Sequence, residues 1–172
     1  MRDTELTPEY WNDHYSKYYS KSRAHLDIIT GYCQQYHTTP SILDIGCGPG
    51  ELYKKFHPDH YSHYTGIDSS TKAISLIEPG TKAYFKVADA RTWRPTTKYD
   101  IIILCETLYF FKDPLAIFNK YKAHLKPNGT IITSIYQFSE TKELYPTLKK
   151  AHSPKNSTTV KQNGKKFIIS AF

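Results

Sequence analysis

The chain has 172 residues, 39% hydrophobic and 23% charged, with a formal net charge of +7. That balance excludes a disordered polymer, and the length suffices to bury a core without disulfides or metal. No apolar run approaches the roughly 18 residues of a membrane span, and the polar start Met1-Arg2-Asp3-Thr4-Glu5 leads into no signal segment. Cys33, Cys47 and Cys105 are an odd, widely spaced set, which predicts a reducing, cytoplasmic setting and neither a disulfide frame nor a zinc site.

Thr7 and Pro8 form a cap and first turn for a helix over about 9–20. A second helix is predicted from Ser22 to about Tyr36, with Leu26, Ile29 and Cys33 at helical spacing, stopped by Thr38-Thr39-Pro40. Strands and helices then alternate. Strands are predicted at 41–45, 62–67, 83–88, 99–105 and 129–136, and helices at 50–57, 70–77 and 113–125. Ile101-Ile102-Ile103-Leu104 reads as a strand buried on both faces. Asp113-Pro114 starts a helix, and Lys126-Pro127-Asn128-Gly129 stops it. A helix around 139–151 follows, then a hairpin turning at Asn163-Gly164. The fold class is α/β: a Rossmann-like three-layer sandwich, mostly parallel, ending in an antiparallel hairpin. One domain, 1–172, is expected.

The chemistry concentrates at Leu43-Asp44-Ile45-Gly46-Cys47-Gly48-Pro49-Gly50, where a buried strand breaks into a glycine loop. Glu51 occupies the third glycine position of the dinucleotide fingerprint, and no Gly-Lys-Ser/Thr follows, which excludes a triphosphate P-loop. Asp44 would repel a pyrophosphate and suits a ligand with a positive charge. Asp68 ends the second strand at the spacing of a ribose-gripping carboxylate, or it caps the helix beginning near Ser70. Asp89, after the third strand, could accept from an adenine amino group or serve as a turn residue.

These pieces, with Gly66-Ile67-Asp68, Ala88-Asp89-Ala90, Tyr99-Asp100-Ile101-Ile102-Ile103 and Leu125-Lys126-Pro127-Asn128-Gly129-Thr130, resemble the class I S-adenosylmethionine-dependent methyltransferases over residues 41–137. The resemblance implies a seven-stranded sheet whose last strand is antiparallel and inserted between its neighbours. It implies S-adenosyl-L-methionine as methyl donor and S-adenosyl-L-homocysteine as product. It further implies Asp44, Gly46, Cys47 and Gly48 beside the methionine part, Asp68 and Ser69 at the ribose, Asp89 and Ala90 at the adenine, and Cys105 and Glu106 beneath the sulfonium. Residues 1–40 would form a helical lid, 41–137 the cofactor core and 138–172 a C-terminal helix and hairpin.

On the acceptor side, many members carry a histidine pair where this chain has Tyr109 and Phe110. A histidine base is absent there. Glu106, Tyr109 and, from the N-terminal helix, Tyr15 are the candidate catalytic groups. Trp11 and Tyr15 could face the sulfonium through their rings or simply pack the helix on the sheet. His14 is a weak candidate base. His57, His60 and His63 fall between a helix and the second strand, away from the ligand edge, and do not read as a metal site. Cys47 reads as a small close-packing residue. The leading expectation is methyl transfer by in-line displacement to an oxygen or nitrogen of a small molecule, with no membrane partner. The alternatives are an RNA or protein methyltransferase using the lysine-rich stretch 139–172, or a cofactor-binding interaction module without catalysis.

Overall fold

The computed structural model describes residues 7, 9–13 and 24–172. Expectations for Tyr15, His14 and the rest of the first helix lie outside these residues. The described elements are α1 (9–13), α2 (Ala24–Tyr36), β1 (Ser41–Ile45), β2 (His63–Asp68), α3 (Thr71–Ser75), β3 (Ala83–Val87), β4 (Tyr99–Cys105), α4 (Pro114–Lys122), β5 (Leu125–Tyr136), α5 (Leu144–Ala151), β6 (Asn156–Gln162) and β7 (Lys165–Ala171). They build a seven-stranded sheet in the order β3-β2-β1-β4-β5-β7-β6. Strands β1 to β5 are parallel to one another, and β7 runs antiparallel between β5 and β6. The α/β class and the inserted antiparallel strand are as expected.

Side-chain alternation along the central strands divides the core into two layers. Ile42, Ile101, Ile103 and Ile132 face one side and pack with Leu26, Ile29, Tyr32 and Cys33 of α2. Leu43, Ile45, Ile102, Leu104 and Ile131 face the other and pack with Ile117, Phe118 and Tyr121 of α4 and Leu148 of α5. The central isoleucines are fully buried, and each contributes about 1.5–3 kcal/mol relative to exposure. At the amino ends of the strands, Asp100 Oδ2 accepts from Ser41 N (2.9 Å), Ser41 Oγ (2.7 Å) and Lys126 Nζ (2.8 Å), tying β1, β4 and β5 together. No helix among the described residues is long and apolar enough to cross a membrane.

Two local expectations need correction. The predicted helix 50–57 is replaced by two 3₁₀ turns, Tyr53–Lys55 and Pro58–His60. Pro58 has no N–H to continue a helix and pushes His57 into the extended region, where its φ is −71° and ψ 141°. Tyr53 and Phe56 instead pack against Tyr61 and Tyr64. The Lys126–Gly129 stop does not precede β5 but interrupts it. Register shifts between Tyr99↔Leu125 and Ile101↔Thr130, and Asn128 takes a left-handed φ of 63°. The Asn163-Gly164 turn forms as predicted, with both φ values positive (50° and 73°) and Gln162 paired with Lys165.

Candidate functional site

The carboxyl ends of β1, β2, β3 and β4 surround one cleft, at the switch in strand order where ligands settle in open α/β sheets. The loop after β1 makes the floor. Gly46 has φ 71° and Gly48 φ 58°, both in the left-handed region that favours glycine. Gly46 and Cys47 donate their N–H groups to Ile67 O at 2.8 and 3.0 Å, so this loop is locked to the end of β2. From the β4 side, Thr107 Oγ1 donates to Ile45 O at 3.0 Å.

Asp44 lines this cleft and is 1% exposed. Its Oδ2 accepts from the Tyr64 hydroxyl at 2.6 Å, while Oδ1 has no hydrogen-bond partner among the described residues. Burial pushes its carboxyl up to about 7, against the Tyr64 hydrogen bond and with the help of the Asp68 charge. Asp68 accepts from Gly48 N through Oδ2 (3.0 Å) and from Ser70 N through Oδ1 (2.8 Å). Burial raises its carboxyl, opposed by those two backbone donors. Asp68 thus lines the cleft and holds the N–H of Ser70, whose own hydroxyl caps α3 by accepting from Ala73 N.

Asp89 and Ala90 line the far end of the cleft. Arg91 grips Asp89, its Nη2 standing 2.5 Å from Oδ2, and holds the carboxyl below its ordinary range. Ala90 is held from below by α4, where Tyr121 OH (2.8 Å) and Lys120 Nζ (2.7 Å) both donate to its carbonyl. Across the cleft, Cys105, Glu106 and Thr107 follow β4. Glu106 has φ 55°, uncommon for a residue with a side chain. Ser134 Oγ donates to its Oε1, and Tyr109 OH donates to Oε2 at 3.0 Å.

Trp11 of α1 closes one side, edge-on to Phe110 at 4.6 Å. Asn12 docks α1, its Oδ1 accepting from Ser70 Oγ at 2.6 Å and Lys72 N at 3.3 Å.

The structure therefore brings Trp11, Asp44, Gly46, Cys47, Asp68, Ser69, Asp89, Ala90, Cys105 and Glu106 to one cleft. Gly48 and Tyr109 do not line it. Gly48 is bonded to Asp68, and Tyr109 touches two lining residues, Glu106 through its hydroxyl and Phe110 through its ring. Burial pushes the Cys47 thiol well up, which suits a close-packing residue rather than a nucleophile. His57 pairs with Asp59, and His60 with Gln34, before the amino end of β2 and opposite the cleft. Sequence reasoning missed Glu51, Arg91, Thr107, Phe110 and Phe111 as lining residues. Thr107 and Phe110 sat in the loop after β4 already singled out, whereas Arg91 carried no local signal.

Residues 17–158 match the family model described as a methyltransferase domain. The chain is 29% identical over 119 residues to a trans-aconitate 2-methyltransferase of Streptomyces avermitilis, covering 64% of this chain and 44% of that protein. It is 33% identical over 101 residues to a ubiquinone biosynthesis O-methyltransferase of Paraburkholderia phytofirmans, covering 55% and 43%. The chain thus spans less than half the length of these curated relatives. In fold it is similar to the N-methyltransferase NodS of Bradyrhizobium japonicum, solved in complex with S-adenosyl-L-homocysteine, with a TM-score of 0.75 at 16% identity over 87% of this chain and 85% of that one. With most of its length inside the family model and the fold to match, the chain belongs to the methyltransferase-domain family.

Proposed function

We propose that this chain binds S-adenosyl-L-methionine and transfers its methyl group to a nitrogen or oxygen of a small-molecule acceptor. The observation that carries this reading is the set of carboxylates at the ends of three adjacent parallel strands, Asp44, Asp68 and Asp89, around one cleft. Asp44 Oδ1 is buried and without a partner among the described residues, a position that favours a cationic group and disfavours a pyrophosphate. The donor, when bound, supplies a methyl group on a cationic sulfur that leaves readily in an in-line displacement.

The protein's own part is to bind, orient and exclude water. Asp44 receives the ammonium of the methionine arm, Asp68 the ribose hydroxyls, and Asp89 with Ala90 the adenine edge. Trp11 and Phe110 shield the sulfur end with aromatic faces. Alignment of donor and acceptor is the largest contribution, about 7–11 kcal/mol in favourable cases. Glu106 is the group that takes the acceptor's proton, its two oxygens oriented by Ser134 and Tyr109. Curated relatives include O- and N-methyltransferases of small molecules, which supports a small acceptor and leaves its atom open.

Calorimetry with S-adenosylmethionine and S-adenosylhomocysteine tests the first half of the reading, and micromolar binding is expected. Absence of binding by both sinks it. A radiolabelled methyl-transfer screen over small acceptors tests the second half. A second reading rests on charge. From Ser139 to Phe172 there are seven lysines against two glutamates, among them Lys161, Lys165 and Lys166 exposed on the terminal hairpin. Salt-sensitive binding of RNA would favour that reading.

A further inference from the structure

Tyr64 is a fully buried tyrosine on β2, and the Asp44 carboxylate is the acceptor of its hydroxyl. Register explains the contact. Asp44 pairs with Gly66, so residues 44, 64 and 66 point to one face of the sheet. Gly66 presents no side chain there, and a Cβ on it would stand 2.5 Å from Phe85 and 2.9 Å from Cys47 Sγ. The Tyr64 hydroxyl is the hydrogen-bond donor that meets Asp44 Oδ2, and Oδ1 is left without one among the described residues.

Among the described residues, the groups facing this carboxyl include no cation. Cys33 comes from α2, Cys47 from the glycine loop, Tyr64 from β2 and Asp68 from the end of β2. Burial pushes the Cys33, Cys47 and Tyr64 protons up, so these three are neutral near pH 7. The other charged residues of the cleft are Glu51, Glu106, Asp89 and Arg91, and Arg91 is paired with Asp89. An ionised Asp44 would therefore have, among the described residues, one hydroxyl donor and no countercharge, and a cationic ligand would supply one.

We infer that Tyr64 is a positioning residue for ligand recognition. Its hydroxyl fixes Asp44 with one oxygen free for an ammonium, so that a ligand carrying that group binds with release of a proton. The step balances simply. A protonated Asp44 gives its proton to solvent, and the resulting carboxylate pairs with the ammonium. Burial holding the free carboxyl near 7 sets where this occurs. This inference rests on the proposed function, because that reading assigns the ammonium to Asp44.

The test compares two probes by calorimetry. S-Adenosylhomocysteine carries the amino-acid arm, and 5′-methylthioadenosine lacks it but keeps the adenosine. Affinity for the first should fall as pH drops below about 7, by up to about tenfold per unit, with proton release seen as a buffer-dependent heat. Affinity for the second should stay flat, which separates Asp44 from titration of Asp68 or Asp89. Tyr64→Phe removes the donor that favours the carboxylate. It should weaken S-adenosylhomocysteine several-fold at about pH 7, recover toward about pH 8.5, and leave methylthioadenosine binding unchanged. Binding of both probes without pH dependence, or with the same dependence for both, overturns the inference alone. Failure of both to bind overturns the proposed function and this inference with it. Unchanged S-adenosylhomocysteine affinity and pH profile in a folded Tyr64→Phe would overturn the role of Tyr64, and where that variant fails to fold, Tyr64→Trp or Tyr64→His read by the same proton count takes its place.

Discussion

Gly46 and Thr107 meet where the first and fourth strands end: a Cβ on Gly46 would stand 2.5 Å from Thr107 Oγ1, closer than real Cβ contacts allow. The same hydroxyl donates to Ile45 O and Cys105 O at 3.0 and 2.9 Å, stitching the two loops that frame the cleft. The missing side chain is therefore what allows the two halves of the site to close. Gly46→Ala must displace Thr107 and also hold an unfavourable φ of 71°. Donor binding should drop at least tenfold, with a stability loss of about 1–3 kcal/mol. Calorimetry and denaturant melts check this, and near-native binding would show that the loops tolerate separation.

Glu106 offers a separate test. Its oxygens accept from Ser134 and Tyr109, so it is oriented from two elements at once. Glu106→Gln should lower kcat about 10²–10⁴-fold if the acceptor loses a proton in the slow step. Tyr109→Phe leaves the carboxylate in place and should cost less, chiefly by loosening its aim. Steady-state kinetics with any acceptor found in the screen separates the two. An unchanged kcat in Glu106→Gln removes that side chain from proton handling.

Asp68 combines ligand-facing and structural duties. Asp68→Ala should weaken donor binding by about 1.5–3 kcal/mol, the usual range for charged hydrogen bonds. Because Gly48 N and Ser70 N also lose their acceptor, the melting temperature should fall too. Unaltered affinity would move the ribose contact elsewhere.

What the sequence made legible follows from how local each signal is. Strands β1 and β4 occupy the predicted spans because apolar runs bounded by Pro40 and Asp100 leave no competing period. The Asn163-Gly164 hairpin was equally local. The 50–57 helix failed because tertiary packing of Tyr53 and Phe56 on Tyr61 and Tyr64 outweighed a weak helical pattern cut by Pro58. The three strand-end aspartates were visible because they lie at or just past the ends of strands at family spacing. The Asp44–Tyr64 bond was not, because it depends on register between β1 and β2 and on the side chain absent at Gly66. The Arg91 clamp on Asp89 was missed for a similar reason, since it requires the loop after β3 to turn back on itself.

The edge of the sheet opposite the cleft supplies a prediction on acid stability. Asp100 is pushed up by burial but held down to about 2 by Lys126 Nζ and the Ser41 donors. Its folded pKa lies below the unfolded value near 4, so its contribution is complete above about pH 4 and vanishes as pH falls through about 2. Lys126 is 42% exposed, so the ion pair is screened and the whole cluster should contribute only about 1–2 kcal/mol. Asp100→Asn should lower the melting temperature by a few degrees at about pH 7 and make no difference near pH 2.

Asp44 predicts the opposite sign. Its folded carboxyl is raised to about 7, so between about pH 4 and pH 7 the unfolded chain ionises a group that the fold keeps protonated. Each pH unit across that window weakens the ligand-free fold by up to about 1.4 kcal/mol, and above it the penalty stays constant. Asp44→Asn removes the titration while keeping an oxygen for the Tyr64 hydroxyl. The variant should therefore gain stability over the parent as pH rises from about 5 to about 8, even as it loses affinity for a cationic ligand. Melting curves of both proteins, ligand-free across that range, read the difference directly. A gap independent of pH would mean that Asp44 is already ionised in the free protein. A widening gap would mean that the ligand-free fold holds this carboxyl protonated and gives up stability to ionise it, as a buried group awaiting a countercharge must.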